Sequence, residues 1–271
     1  MNKVFMRRAS VALAAAVALI FVSAAFSVPP EILSSFPLTG ATPPGPCGIH
    51  SDRDSVFVIS YTGPGENYLY EFSLQGSFVS SLRLPGADAI TETDCLPYPY
   101  HQDYFSALDA GTRDVKIFRT TGSLVGTFMA APADAVAIGV GGRDAYYVYL
   151  ATRAGLIRRY SSGGSFLNSF NTGIDVRDLA ASGGYDQRWG NFVQVAPRGQ
   201  PGPIYSYRST GSLEGSFALP GTGNLGAEAI DTSFYWCLRR VNTRLWVYEV
   251  FLGGGMPVEP ASLGKVKALF R

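Results

Sequence analysis

The phrase YEFSLQGSFVSSL, which begins at Tyr70, decides the fold because similar phrases occur three more times along the chain. They are KIFRTTGSLVGTF from Lys116, RRYSSGGSFLNSF from Arg158 and YSYRSTGSLEGSF from Tyr205. In each phrase a Gly-Ser pair separates two runs that are rich in apolar residues. An aromatic residue stands four positions before the glycine of this pair. Because glycine readily adopts the positive φ of a tight turn, each phrase predicts a β-hairpin.

The hairpins belong to a repeat whose length is typical of a propeller blade. The turn glycines are 46, 42 and 47 residues apart. A second landmark of small and apolar residues follows each hairpin, and a further aromatic or β-branched run separates it from the next hairpin. The landmarks are Asp88-Ala89-Ile90, Asp134-Ala135-Val136, Asp178-Leu179-Ala180 and Glu228-Ala229-Ile230, with Cys47-Gly48-Ile49 before the first hairpin. Each repeat of roughly 45 residues therefore predicts four strands, the innermost lying at the central axis.

The two ends of the repeat region indicate how the ring closes. Five inner-strand landmarks predict five blades, but the fifth blade ends after the run from Arg244 to Val250. The missing outer strand is supplied by Glu31 to Phe36, which reads like the outer strand from Phe166 to Phe170. We therefore predict an all-β, five-bladed β-propeller whose last blade is closed by the N-terminal strand. Six or seven blades, or another all-β fold, are the alternatives.

The four-strand repeat, with its small-residue inner strand and its Gly-Ser turn, resembles the NHL and YWTD-like propellers of secreted bacterial proteins. The resemblance covers about Pro30 to Gly255 and lies in the repeat pattern. Streptogramin lyases and gluconolactonase-like hydrolases share such repeats, but the His, carboxylate and Asn motifs of their chemistry cannot be placed on this chain. The resemblance thus implies the fold and not an activity.

The N-terminus has the pattern of a secretory signal peptide. Basic residues at Lys3, Arg7 and Arg8 precede an apolar run from Ala9 to Val22, and Ala25-Phe26-Ser27 offers a small-residue cleavage site. We predict a signal peptide over residues 1–27, a propeller over 30–255 and a separate C-terminal tail over 256–271. An uncleaved membrane anchor is the alternative at the N-terminus. The predicted location is extracytoplasmic, either secreted or periplasmic, with no membrane span after cleavage.

Charge and cysteine content narrow the possible partners. The chain of 271 residues has a net charge of +1, and removal of the predicted signal leaves 19 basic against 21 acidic residues. This balance gives no support for nucleic-acid binding. The cysteines Cys47, Cys95 and Cys237 are an odd number and widely separated, so they predict no dense disulfide framework.

Four acidic residues head successive inner-strand landmarks and are expected to converge at one mouth of the central channel. They are Asp88, Asp134, Asp178 and Glu228. Crowded carboxylates need a cation such as calcium, or one of them has a raised pKa and can act as an acid. These four are therefore candidate ligand-binding and metal-binding residues. The alternative is that each only caps a turn at a blade junction.

Arginines form the second candidate cluster. They occur where the second strand of a blade should turn into the third, on the same face as the acidic residues. They are Arg113, Arg153, Arg198, Arg239, Arg240 and Arg244. Guanidinium groups hold carboxylates through forked hydrogen bonds, so this rim suits an anionic glycan or the carboxylates of a protein partner. Solvated surface charge is the alternative.

No motif for a nucleophile, a bound cofactor or a phosphate loop accompanies the repeat. We therefore predict a binding or interaction module, with no cofactor other than possible calcium, that recognises a glycan or an extracytoplasmic protein. A glycan hydrolase or lyase that uses the channel-mouth carboxylates is the alternative. Tyr98, Tyr100 and Tyr104 are further candidates for stacking on a ligand.

Overall fold

A computed structural model describes residues 31–52, 54–96, 102–142, 146–183, 191–198, 202–229 and 234–251. Within these ranges the chain forms twenty strands, arranged in five antiparallel sheets of four strands each. The protein is a five-bladed β-propeller, so the predicted fold class is confirmed. No helix long and apolar enough to cross a bilayer occurs in the part of the chain that the structure describes.

The strands are numbered in chain order, and the chain enters blade 5 first. The first strand is β1 (Glu31–Pro37). Blade 1 contains β2 (Pro46–Ser51), β3 (Ser55–Gly63), β4 (Glu66–Ser73) and β5 (Phe78–Arg83). Blade 2 contains β6 (Ile90–Cys95), β7 (Tyr104–Asp109), β8 (Asp114–Arg119) and β9 (Leu124–Ala130).

The remaining blades repeat this arrangement. Blade 3 contains β10 (Ala135–Gly141), β11 (Tyr147–Thr152), β12 (Leu156–Ser161) and β13 (Phe166–Asn171). Blade 4 contains β14 (Val176–Gly183), β15 (Asn191–Pro197), β16 (Ile204–Arg208) and β17 (Leu213–Phe217). Blade 5 contains β18 (Thr222–Ala229), β19 (Phe234–Val241), β20 (Arg244–Phe251) and the N-terminal β1.

The repeated phrase forms the outer hairpin of blades 1 to 4, as predicted. Its turn glycines, Gly76, Gly122, Gly164 and Gly211, have φ angles between 77° and 93°. A side chain is strained in this left-handed region, which explains why glycine stands at all four turns. The aromatic residue four positions earlier is buried in every hairpin. Each phrase thus supplies both the turn and one large side chain for the core between blades.

Closure of the ring is also as predicted. Strand β1 pairs antiparallel with β20, from Glu31 opposite Phe251 to Pro37 opposite Trp246. The first and last described strands therefore lie in one sheet, and the ladder of blade 5 joins the two ends of the repeat region. This arrangement removes the open edge that a linear array of sheets would expose.

One buried carboxylate joins three blades at the axis. Asp94, near the end of β6, is fully buried. Its Oδ2 accepts hydrogen bonds from the backbone N–H of Val140 in blade 3, at 2.7 Å, and of Ala181 in blade 4, at 3.0 Å. Its Oδ1 accepts from the N–H of Cys95, at 2.9 Å. Asp94 therefore satisfies backbone donors that the inner strands of blades 3 and 4 direct toward the axis.

The inner strands approach one another so closely that they need glycine. A Cβ atom on Gly226 of blade 5 would lie 2.6 Å from the backbone of Gly48 in blade 1. A Cβ on Gly48 would in turn lie 2.0 Å from Oγ1 of Thr93 in blade 2. Along these strands, backbone and short side chains occupy the axis where a wider propeller would have a channel.

We expect Asp94→Asn to lower the free energy of unfolding by about 1–3 kcal/mol, because one amide group cannot accept from all three backbone donors. Asp52→Asn is the matched control. The Oδ1 of Asp52 also accepts two backbone N–H groups, from Asp54 and Ser55, but at a surface turn where water can replace it. Urea unfolding of both variants measures the difference. Equal losses would show that the axial position of Asp94 is unimportant.

Candidate functional site

The strand register shows which inner-strand positions are equivalent in different blades. Each inner strand has a bulge near its start, and the first residue after it is Gly48 in β2, Glu92 in β6, Ala137 in β10 and Asp178 in β14. In blade 5 the register shifts twice, and Gly226 follows the second shift. The equivalent of Asp178 in blade 2 is therefore Glu92, not Asp88.

The predicted equivalence of the four acidic residues is wrong. Asp88 and Asp134 precede their inner strands, Asp178 lies within β14, and Glu228 lies two residues beyond Gly226 in β18. The Asp-Ala and Asp-Leu pairs that suggest the alignment lie at different distances from the bulge in their strands. The four residues therefore occupy different heights along the strands and do not form one ring.

Asp88 is part of the turn structure of blade 2. Its backbone N–H donates to Oδ2 of Asp109 at 2.9 Å, and its side chain packs against Gly111. Asp109 is buried and forms an ion pair with Lys116 at 2.6 Å. Burial raises the pKa of Asp109, but hydrogen bonds from Lys116 and from two backbone amides lower it overall, to about 2. Asp88 thus adjoins a structural ion pair.

Asp134 lies at the surface, and Glu228 is described only through its backbone. Asp134 forms a two-pronged ion pair with Arg158, at 2.6 and 2.9 Å, and its side chain is about half exposed. The hydrogen bond from Arg158 lowers the pKa of Asp134. Glu228 pairs with Trp236 in the ladder of blade 5, and its side chain lies outside the described part.

Asp178 does meet another carboxyl group, that of Glu92 across the axis. Both side chains are almost completely buried, and their charges act on each other. Burial and the charge of Asp178 raise the pKa of Glu92 well above its usual value, while Arg177 acts in the opposite direction. The surroundings of Glu92 therefore favour the neutral form of its carboxyl group beside Asp178. We call Glu92 and Asp178 the acidic pair.

The predicted arginine rim divides into surface and interior residues. Arg113 is exposed, in the turn between β7 and β8. Arg239 is buried within β19, where it donates to the carbonyl oxygens of Leu219 at 2.7 Å and Gly221 at 3.4 Å. Arg239 thus stabilises the interior of blade 5 through these hydrogen bonds, and its predicted position on a surface loop is wrong. In blade 5 the turn follows Val241, the last residue of β19, so Arg240 also lies within the strand.

Arg153 and Arg198 lie on either side of the start of β14. The N–H of Val176 donates to the carbonyl oxygen of Arg153 at 3.1 Å, and the N–H of Arg198 donates to that of Asp175 at 2.8 Å. These bonds confirm that the turns between second and third strands adjoin the inner-strand starts. Arg177, the second residue of β14, completes the group. We call Arg153, Arg177 and Arg198 the arginine cluster.

The positive charges of the arginine cluster act on one another. Burial lowers the pKa of Arg198, and so do the neighbouring charges of Arg153 and Arg177, whereas Asp175 raises it. Among the described residues, Asp175 is the acidic side chain within salt-bridge distance of the cluster, with its Oδ1 3.7 Å from Nε of Arg198. At the surface, Arg153 and Arg198 therefore carry two positive charges beside one described carboxylate, that of Asp175.

Sequence reasoning missed Glu92 and Arg177. Both lie near the bulge of an inner strand, and the ladder register was the signal that identifies them. The charge of Arg177 reaches both Glu92 and Cys47, so it links the arginine cluster to the acidic pair beneath.

The described residues contain no group of three or more His, Cys, Asp or Glu side chains arranged to hold a metal ion. The buried cysteines Cys47, Cys95 and Cys237 form no disulfide. Of the three tyrosines proposed for stacking, Tyr104 begins β7, whereas Tyr98 and Tyr100 lie outside the described residues.

The fold and the site together define the class of protein: a five-bladed β-propeller with the arginine cluster on one face. No model of a known protein family matches the sequence, and no curated protein matches it. A solved structure of U3-55K is 12% identical with a TM-score of 0.45, over 78% of this chain and 62% of that one. The WD40 β-propeller domain of Doa1 is 12% identical with a TM-score of 0.39, over 75% of this chain and 63% of that one.

A third solved structure, of BBS1N in complex with ARL6DN, is 12% identical with a TM-score of 0.43 and covers 76% of this chain and 77% of that one. This chain spans less than two thirds of the U3-55K and Doa1 structures. At this level of identity and overlap, none of these proteins contributes to the functional argument.

The acidic pair predicts how stability depends on pH. Because the pKa of Glu92 is raised in the folded state, its contribution is fully present below the unfolded value of 4.5 and is lost as the pH rises toward the folded pKa. Glu92→Gln has a similar shape and is neutral at every pH, so this loss should disappear. Urea unfolding of both proteins between pH 5 and 8 measures it, and parallel pH profiles would contradict the assignment.

Proposed function

We propose that this protein is an exported binding module, of the NHL and YWTD-like type, that recognises the carboxylates of an acidic glycan through the arginine cluster. The sequence predicts a binding module for a glycan or a protein. The proposal narrows the range of ligands to those that carry negative charge. The observation that carries the proposal is the incomplete neutralisation of Arg153 and Arg198, the solvent-accessible members of the cluster, by their described surroundings.

The geometry of the cluster supports a carboxylate ligand. Arg153 is exposed, and the side chain of Arg198 is 35% exposed, so both guanidinium groups can be reached from solvent. Arginine presents a planar fork of donors that matches a carboxylate, and such charged hydrogen bonds are stronger than neutral ones. The main-chain bonds on either side of β14 hold the two arginines on one rigid support. This preorganisation lowers the entropy that binding costs.

Hydrolysis of a glycan has weaker support. A glycosidase needs two reachable carboxyl groups, typically about 5 to 10 Å apart. Glu92 and Asp178 are almost fully buried, and Asp134 is paired with Arg158. These contacts leave the predicted carboxylates better suited to structure than to acid-base catalysis.

Export is supported by the N-terminal sequence, where a basic start precedes an apolar run and a small-residue cleavage site. The described propeller begins at Glu31, four residues after the proposed cleavage at Ser27. Cleavage there would leave the strand that closes blade 5 intact.

We expect the protein, expressed in a secreting bacterial host, to have the intact mass of a chain that begins at Val28. Mass spectrometry of the purified protein tests this. The mass of the full chain, found in the membrane fraction, would indicate an uncleaved anchor.

The binding proposal predicts that the chain binds oligogalacturonate and that Arg153→Gln with Arg198→Gln weakens binding by at least about tenfold, because each change removes a charged donor. Raising the salt concentration should also weaken binding. Isothermal titration calorimetry with oligogalacturonate, and with its methyl ester as an uncharged counterpart, measures both effects.

Arg208→Gln is the matched control. Arg208 also lies in blade 4, and its side chain is 41% exposed, but Glu214 already neutralises it. This variant should bind oligogalacturonate as the unmodified protein does. Absence of binding to oligogalacturonate, or equal binding of its methyl ester, would contradict the proposal. The first result would direct the search to acidic protein partners.

A further inference from the structure

A cavity of about 350 Å³ lies between blades 2 and 3. It is lined almost entirely by apolar side chains: Leu96, Tyr104, Ser106, Val115, Ile117, Val125, Phe128, Val140, Tyr146 and Val148. Strands β6 and β10 end beside it and β7 begins there, so it lies toward the face opposite the arginine cluster. Its size falls within the range of small-molecule pockets, and apolar cavities of this kind bind apolar ligands readily.

The cavity lies where blade 2 has a small side chain at one position of the repeat. Ser106 in β7 stands opposite Asp94, the residue two places after the bulge of the inner strand. The equivalent residues in the other four blades, found from the same ladder position, are Phe57, Tyr149, Gln194 and Trp236. Serine is the smallest of the five, whereas aromatic rings stand at this position in blades 1, 3 and 5.

A positive charge stands beside the cavity. The guanidinium of Arg119 lies over the ring of Tyr104, 5.4 Å from its centroid, and Tyr104 is part of the cavity wall. Arg119 is exposed, and among the described residues no acidic side chain forms a salt bridge with it. Val125, another wall residue, is 55% exposed, so the cavity is reachable from solvent.

We propose that this cavity binds a small amphipathic carboxylic acid, with its apolar part between blades 2 and 3 and its carboxylate paired with Arg119. The apolar walls account for the body of the ligand, since they remove hydrocarbon from water. The unneutralised guanidinium accounts for the carboxylate. This site is separate from the arginine cluster in position and in the size of ligand that it admits.

The test compares decanoate with decanol, its uncharged counterpart, by isothermal titration calorimetry on the full chain below the micelle concentration. We expect one molecule of decanoate to bind per chain. Arg119→Gln should weaken decanoate binding by at least about tenfold and leave decanol binding unchanged, because only the acid uses the charge. Arg208→Gln is the matched control and should bind both molecules normally. Failure of decanoate to bind, or equal weakening for both molecules, overturns the proposal.

Ser106→Phe tests the cavity itself, because it restores the residue that blade 1 has at this position. The variant should bind neither decanoate nor decanol. Ile117→Phe, which enters the same cavity from β8, serves the same purpose if Ser106→Phe does not fold. Undiminished binding by a folded variant of either kind would place decanoate elsewhere and overturn the proposal. The double variant at Arg153 and Arg198 should keep decanoate binding, so failure of one site is distinguishable from failure of the other.

Discussion

The hydrogen bonds of the Asp94 carboxylate are the constraint on which the arrangement of the blades depends. A five-bladed ring brings its inner strands close together, and backbone donors of blades 3 and 4 then point to an axis without room for bulk water. Asp94 accepts from Val140 and Ala181, so one side chain from blade 2 satisfies both neighbours. Removal of such a partner costs more than the bond itself is worth, because the donors remain buried.

The tight axis determines where a ligand can bind. Gly48 and Gly226 are in such close contact that a methyl group has no room between blades 1 and 5. The acidic pair lies among these strands, with Glu92 and Asp178 out of contact with solvent. Binding is therefore expected at the faces of the ring and in the clefts between blades. The arginine cluster is an example of the first, and the cavity beside Ser106 is an example of the second.

The fold was predictable because the repeated phrase contains both of its determinants. The glycine of each turn and the aromatic residue four positions earlier identify the outer hairpin, and the N-terminal strand was recognised from its likeness to the outer strand at Phe166. The candidate site was predicted less well. The sequence places Arg153 and Arg198 on the correct face, but it matches Asp88 with Asp178, although Asp88 lies before β6 and Asp178 lies within β14. Composition does not show where the strand pairing of each blade begins, so only the ladder separates the two residues.

Departures from the repeat are more informative about binding than the repeat itself. A position that packs between blades should hold a large side chain in every blade, since an unfilled volume weakens the core. Blade 2 has Ser106 there instead, and its buried hydroxyl donates to the carbonyl oxygen of Asp94 at 2.9 Å, so the small residue also has a structural role. Arg119 departs in a different way: Glu214 pairs with Arg208, whereas among the described residues no carboxylate pairs with Arg119. The two departures adjoin the same cavity, and the proposed ligand, with its apolar body and its carboxylate, would use both.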